Sequence, residues 1–158
     1  MSPSVTFYEK GKQMTHHTAV NKLLEGYTCS ESILMAYAPY FDLNTEVAGR
    51  LAAGFAGGFA QGKTCGAVTA AAVILGLKFG PGLTRNPYKK DLCFGMIQEL
   101  FHQFKKRHHS TSCGKILILS GIDPGDPEQM KRLRQNQICN KIVYDAATIL
   151  DNLLAEEG

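Results

Sequence analysis

The chain has 158 residues, a formal net charge of +3 and 44% apolar residues. These values fit one globular domain of ordinary composition, and the small charge argues against nucleic acid or an anionic membrane as a partner. No apolar stretch approaches the roughly 20 residues of a membrane-spanning helix. Residues 1–10 lack the apolar core of a secretory signal. We therefore expect a cytoplasmic protein, in a compartment that keeps thiols reduced.

The N-terminal part predicts a loose arm followed by helices. Residues 1–13 are polar and irregular, which indicates a flexible N-terminal arm, and residues 14–158 are expected to form a single helical domain. Apolar residues recur at helical spacing from Thr15. Thr28, followed three residues later by Glu31, is a capping-box pattern that predicts a second helix starting at about Cys29.

The rest of the chain is also helical by periodicity. Asn44 or Thr45 can cap a third helix, and residues 65–79 are apolar on nearly every side, as in a helix buried all round. Long amphipathic segments follow Asn86 and Ile138, and their apolar faces are compatible with a homodimer. Two short segments, residues 110–119 and 128–135, read as a helical turn and a short polar helix. We predict an all-α fold, a single compact bundle of five to six helices around the buried segment 65–79.

A phosphate-loop pattern overlaps the glycine-rich stretch before that central helix. Residues 57–64, which read Gly57-Gly-Phe-Ala-Gln-Gly-Lys63-Thr64, fit G-x-x-x-x-G-K-[ST]. The mechanism of that motif needs a buried parallel strand entering the loop and an acidic residue after a second strand. Here the entering segment is helical by period, so nucleotide binding is kept only as a minor alternative.

The five cysteines carry most of the functional information. They are too widely spaced for a zinc ribbon, and no C-x-x-C pair exists. Cys93 lies inside an amphipathic stripe, where a small buried hydrophobe is the favoured interpretation. The other four lie at or near predicted helix starts, where the helix dipole stabilises a thiolate. These four are Cys29, Cys65, Cys113 and Cys139.

The sequence around these four cysteines resembles the C_GCAxxG_C_C family of redox-active proteins. The resemblance covers about residues 27–154 and rests on Cys29-Ser-Glu-Ser-Ile-Leu, Cys65-Gly-Ala-Val-Thr-Ala, Cys113-Gly-Lys-Ile-Leu and Cys139-Asn-Lys-Ile-Val. The central block departs from the literal G-C-A-x-x-G, although small residues are kept on both sides. Cys93 matches no position of the pattern.

The resemblance implies a redox site built from Cys29, Cys65, Cys113 and Cys139, most simply as ligands of an iron–sulfur cluster that transfers electrons. Zinc is a substitute that the same thiolates could bind. The protein would then be an oxidoreductase or an electron carrier with an unidentified redox partner protein.

Two further interpretations of the cysteines stay open. One is metal-free thiol–disulfide chemistry, with a low-pKa thiolate such as Cys65 attacking and Cys29, Cys113 or Cys139 resolving. The other is that all the cysteines are buried small hydrophobes. The five histidines are expected on the surface, and no acid–base pair of carboxylates is evident.

Overall fold

The computed structural model describes residues 15–133 and 137–156. The expected arm, residues 1–13, and the end of the short polar helix expected at 128–135 lie outside these ranges. The described residues form eight α-helices and no strand, so the all-α class is confirmed and the predicted count of five to six helices is too low. The helices are α1 (Thr15–Leu24), α2 (Cys29–Tyr37), α3 (Thr45–Ala53), α4 (Gly66–Phe79), α5 (Pro87–His108), α6 (Cys113–Leu119), α7 (Pro127–Arg132) and α8 (Ile138–Leu154).

Helix α4 lies in the middle of the core, as its all-round apolar sequence predicts. It packs against α2, α5 and α8, and eight of its 14 residues are buried. Helix α2 is as central, since it contacts α1, α3, α4 and α8. The two helices whose first turns carry Cys29 and Cys65 therefore lie side by side.

Local capping explains where several helices begin. The Thr28 side chain accepts from the backbone N–H of Glu31, and the Glu31 side chain accepts from the N–H of Thr28, which completes the predicted capping box. Ser112 accepts from the N–H of Lys115 and starts α6. Cys29 and Cys113 are consequently the first residues of their helices, and Cys139 is the second residue of α8.

Two of the five histidines, all of which were expected on the surface, are instead largely buried against carboxylates. His108 has a side chain only 10% exposed, and its Nε2 lies 2.9 Å from Oδ2 of Asp145. His16 Nδ1 lies 3.2 Å from Oδ2 of Asp151, which also accepts from the Tyr37 hydroxyl at 2.6 Å through Oδ1. These pairs join α5 to α8, and α1 and α2 to α8, so they stabilise helix packing.

No helix within the described ranges has both the length and the apolar character needed to cross a bilayer.

Candidate functional site

The glycine loop, residues 54–64, carries the chain from α3 to α4 through a left-handed turn. Gly57, Gly58, Phe59 and Ala60 have φ angles of 65°, 62°, 60° and 57°. A left-handed conformation costs an L-residue roughly 1–2 kcal/mol, so Phe59 and Ala60 are held there by the surrounding structure. Position 58 requires glycine, because an added Cβ would lie 2.4 Å from the backbone nitrogen of Lys63.

Hydrogen bonds fasten the end of this loop to the start of α6. The Cys113 N–H donates to the carbonyl of Lys63 at 2.6 Å, and the Cys65 N–H donates to the carbonyl of Thr111 at 2.7 Å. The Ser112 hydroxyl adds a bond of 2.8 Å to the carbonyl of Gly62. The segments that carry Cys65 and Cys113 are thus held together by backbone pairing.

Cys29 and Cys65 lie close together between α2 and α4, where each thiol shifts the pKa of the other. Cys65 is 3% exposed and is the N-cap residue of α4, with no side-chain cap bond, whereas Cys29 is only half-buried. Gly66 allows the approach, since a Cβ on it would lie 3.1 Å from Sγ of Cys29 and 2.9 Å from the carbonyl oxygen of Phe55. The inner thiol therefore lies directly behind the outer one.

The environment of the pair stabilises a thiolate on Cys29. The pKa of Cys29 is lowered from 9.0 to about 7, chiefly by the hydrogen bond from the Cys65 thiol, although burial acts in the opposite direction. Backbone N–H groups of Ser30, Ala67 and Gly57 contribute to this lowering. Ala67 lies in the first turn of α4, where N–H groups have no partner within the helix, and Gly57 belongs to the left-handed turn.

Cys65 behaves in the opposite way. Its hydrogen bond to Cys29, its burial and the negative charge on Cys29 raise the pKa of Cys65 well above 9.0. We expected a lowered pKa at Cys65 because of its place at a helix start, whereas in the structure the pKa of Cys65 is raised and that of Cys29 is lowered. The two thiols titrate as an interacting pair.

Cys113 and Cys139 open onto the same cavity as Cys29. The cavity has a volume of about 300 Å³ and is lined by these three half-buried cysteines and by side chains of α1, α6 and the α7 region. Burial and the nearby negative charge of Cys29 raise the pKa of Cys113. The structure therefore gathers Cys29, Cys113 and Cys139 around one cavity, with Cys65 beneath Cys29.

The cavity wall includes residues that sequence patterns did not single out. They are apolar side chains that come from three separate parts of the chain, so no local motif contains them. They are Leu23, Leu24, Tyr27, Leu117, Met130 and Leu133.

Cys93 lies apart from this site. It is 6% exposed, belongs to the core cluster on α5, and its burial raises its pKa. This placement agrees with its predicted role as a small buried hydrophobe.

The phosphate-loop pattern is in the wrong context for nucleotide binding. Helix α3 enters the loop, and the described residues contain no strand, only one isolated bridge between Thr64 and Ser112. The Gly57 N–H, which a phosphate would need, instead faces the Cys29 thiol closely enough to lower its pKa. The glycine-rich sequence thus serves the cysteine pair.

Within residues 15–133 and 137–156, no group of three or more His, Cys, Asp or Glu side chains is arranged to hold a metal ion. Thiolates are the donors that iron–sulfur clusters and structural zinc use, so the chemistry of the four cysteines fits those groups. Their arrangement does not, because no three of these cysteines are placed to share a metal ion in the described structure.

Comparison with known proteins gives one result. Residues 27–153 match the family model described as "Putative redox-active protein (C_GCAxxG_C_C)". Neither curated proteins nor solved structures gave a significant match. The match covers all four cysteines of the site and most of the chain, and the chain therefore belongs to the C_GCAxxG_C_C family of redox-active proteins.

Proposed function

We propose that this protein is a thiol–disulfide oxidoreductase in which Cys29 is the attacking thiolate and Cys65 is the resolving cysteine. The observation that carries the proposal is the pair itself. A half-buried thiol with a pKa of about 7 lies on a cavity and beside a buried thiol whose pKa is raised. An attacking thiol is most effective when its pKa is near the ambient pH, since intrinsic nucleophilicity falls as the pKa falls.

The two cysteines divide the reaction between them. The Cys29 thiolate attacks one sulfur of a substrate disulfide, so that a Cys29–substrate disulfide forms and the other substrate sulfur leaves as a thiolate. Cys65 then gives its proton to the departing thiolate and attacks Cys29. The Cys29–Cys65 disulfide forms, the second substrate sulfur leaves as a thiolate that takes its proton from water, and two electrons have passed from the protein to the substrate.

The buried position of Cys65 suits the second step. As long as Cys29 is a thiolate, the hydrogen bond keeps the proton on Cys65, so the resolving sulfur is not consumed by solvent oxidants. Once Cys29 is bound to substrate, its negative charge is gone, and this cause of the raised Cys65 pKa disappears. The inner thiol therefore becomes easier to ionise when it is needed.

Trapping of the intermediate tests this division of roles. The Cys65→Ser variant should accumulate a mixed disulfide at Cys29 after treatment with a small disulfide, because the resolving sulfur is missing. The unmodified protein should instead form an internal bond between Cys29 and Cys65. Peptide mapping by mass spectrometry distinguishes the two products, and Cys93→Ser serves as the control that should behave like the unmodified protein. An internal bond between other cysteines as the main product contradicts the proposal.

Iron–sulfur binding is a second proposal, and one observation favours it. Cys29, Cys113 and Cys139 each lie at a helix start and line one cavity, with Cys65 behind Cys29. A bound cluster would supply one-electron transfer, and the positive ends of these helices would stabilise its negative charge. Cys65 would first have to turn from Cys29 toward the cavity.

Anaerobic reconstitution with iron and sulfide separates the two proposals. If the second is right, the protein becomes brown with visible charge-transfer absorption, and Cys113→Ser loses the colour while Cys93→Ser keeps it. Binding of zinc would leave the protein colourless but would show in metal analysis. A protein that binds neither metal and still forms the Cys29–Cys65 disulfide rules out the second proposal.

A further inference from the structure

The cavity in front of Cys29 differs from the sulfur pair in chemical character. Its volume of about 300 Å³ is at the small end of the range for sites that bind small molecules. Apart from the cysteines and a few polar groups, its wall is made of aliphatic and aromatic side chains from α1, the α1–α2 turn, α6 and the α7 region. These are Leu23, Leu24, Tyr27, Leu117, Met130 and Leu133.

The described part of this wall carries no charged side chain. Among the described residues that line the cavity, none is Lys, Arg, His, Asp or Glu. A carboxylate on the ligand would lose water on entry and gain no counter-ion, and an ammonium group would find only the reacting Cys29 sulfur, whose charge is lost in the first step.

We propose that this cavity binds the apolar group of an uncharged, low-molecular-weight organic disulfide and presents its sulfur to Cys29. This proposal rests on the proposed thiol–disulfide function and adds the class of substrate. The overall reaction is RSSR plus the two protein thiols giving two RSH and the Cys29–Cys65 disulfide. Burial of the R group supplies binding energy, and the sulfur of Cys29 on the cavity wall supplies the nucleophile.

Alkyl methanethiosulfonates measure the contribution of the R group to the first step. The thiolate attacks the alkyl-bearing sulfur and releases methanesulfinate, so the leaving group is constant along a methyl, propyl, butyl and benzyl series. Rates are divided by those of a small reference thiol at the same fraction of thiolate. Each added methylene group should raise the normalised rate about two- to fourfold, as burial of apolar surface predicts. The sulfonatoethyl reagent should be slower than the propyl reagent by about tenfold or more.

A matched pair of surface variants locates the effect in the cavity. Leu24 lines the cavity and is 67% exposed, whereas Leu77 on α4 is 47% exposed and does not line it. Leu24→Lys should shift the preference toward the sulfonatoethyl reagent and flatten the dependence on chain length. Leu77→Lys, the same change elsewhere on the surface, should alter neither.

The outcomes separate this inference from the function on which it rests. Cys29→Ser should abolish the fast reaction with every reagent. If it does, but the normalised rates are independent of chain length and of charge, the substrate class is wrong and the role of Cys29 stands. If the fast reaction survives in Cys29→Ser, both the role of Cys29 and the cavity as its substrate site are wrong.

Discussion

Replacing Cys29 by serine is expected to lower the rate of reaction with a disulfide at pH 7 by about fivefold or more. A thiol with a pKa of about 7 is about half ionised at pH 7, whereas a thiol with the ordinary pKa of 9.0 is about 1% ionised. The lower intrinsic nucleophilicity of the less basic thiolate offsets about six- to tenfold of this difference. The pKa values of Cys65 and Cys113 are raised, so these two cysteines compensate poorly. The measurement is the second-order rate constant for thiol–disulfide exchange in the unmodified protein and in single Cys→Ser variants.

The pH dependence of the exchange rate tests this prediction more strictly. The rate of the unmodified protein should rise with pH through about 7 and level off above it, because Cys29 loses its proton there. Cys93→Ser should show the same curve, since Cys93 is buried in the core. A curve that rises only near pH 9, or an unchanged curve in Cys29→Ser, contradicts the assignment of Cys29 as the thiolate.

The positions of the four cysteines at helix starts could be predicted because capping is local. Thr28 and Glu31 act within one turn, and Ser112 lies next to Cys113, so the start of α2 and that of α6 are visible in a few residues. The count of helices was too low for a related reason. Helix α6 has only seven residues, and so short an apolar run shows no reliable period.

The identity of the thiolate could not be predicted, because the groups that decide it are remote in sequence. The pKa of Cys29 is lowered by Cys65, Ala67 and Gly57, which come from another helix and from the glycine loop. A helix start favours a thiolate on any of the four cysteines and does not rank them. The pKa values of Cys29 and Cys65 differ because Cys29 is half-buried on the cavity wall, whereas Cys65 is enclosed behind it.

The phosphate-loop pattern also shows that a sequence motif can predict local backbone geometry without predicting what binds there. Glycines in residues 54–64 correctly indicate tight turns and close backbone approach. They do not reveal what approaches the backbone, and here it is the Cys29 thiol, whose pKa the Gly57 N–H helps to lower. The helical period of the preceding segment was the informative signal, since it excluded the strand that a phosphate loop requires.

Substitution of Gly66 should have the second large effect, because the Cys29 sulfur packs against this residue. In Gly66→Ala the new Cβ would lie 2.9 Å from the carbonyl oxygen of Phe55 and 3.1 Å from Sγ of Cys29. The backbone oxygen cannot move freely, so the free energy of unfolding should fall by about 1–3 kcal/mol, as is usual for overpacking. Chemical denaturation measures this loss.

Gly76→Ala is the matched control on the same helix, and the comparison ties the clash to the chemistry. An added Cβ at Gly76 meets no atom within 4 Å, so alanine should raise helix stability by about 0.5–1 kcal/mol. Displacement of Cys29 in Gly66→Ala should also weaken its hydrogen bonds from Cys65 and Ala67, which moves its pKa up from about 7. The pH–rate curve should therefore shift to higher pH in Gly66→Ala and stay in place in Gly76→Ala. Equal stabilities and equal curves for the two variants would mean that Gly66 does not hold the Cys29 sulfur against the first turn of α4.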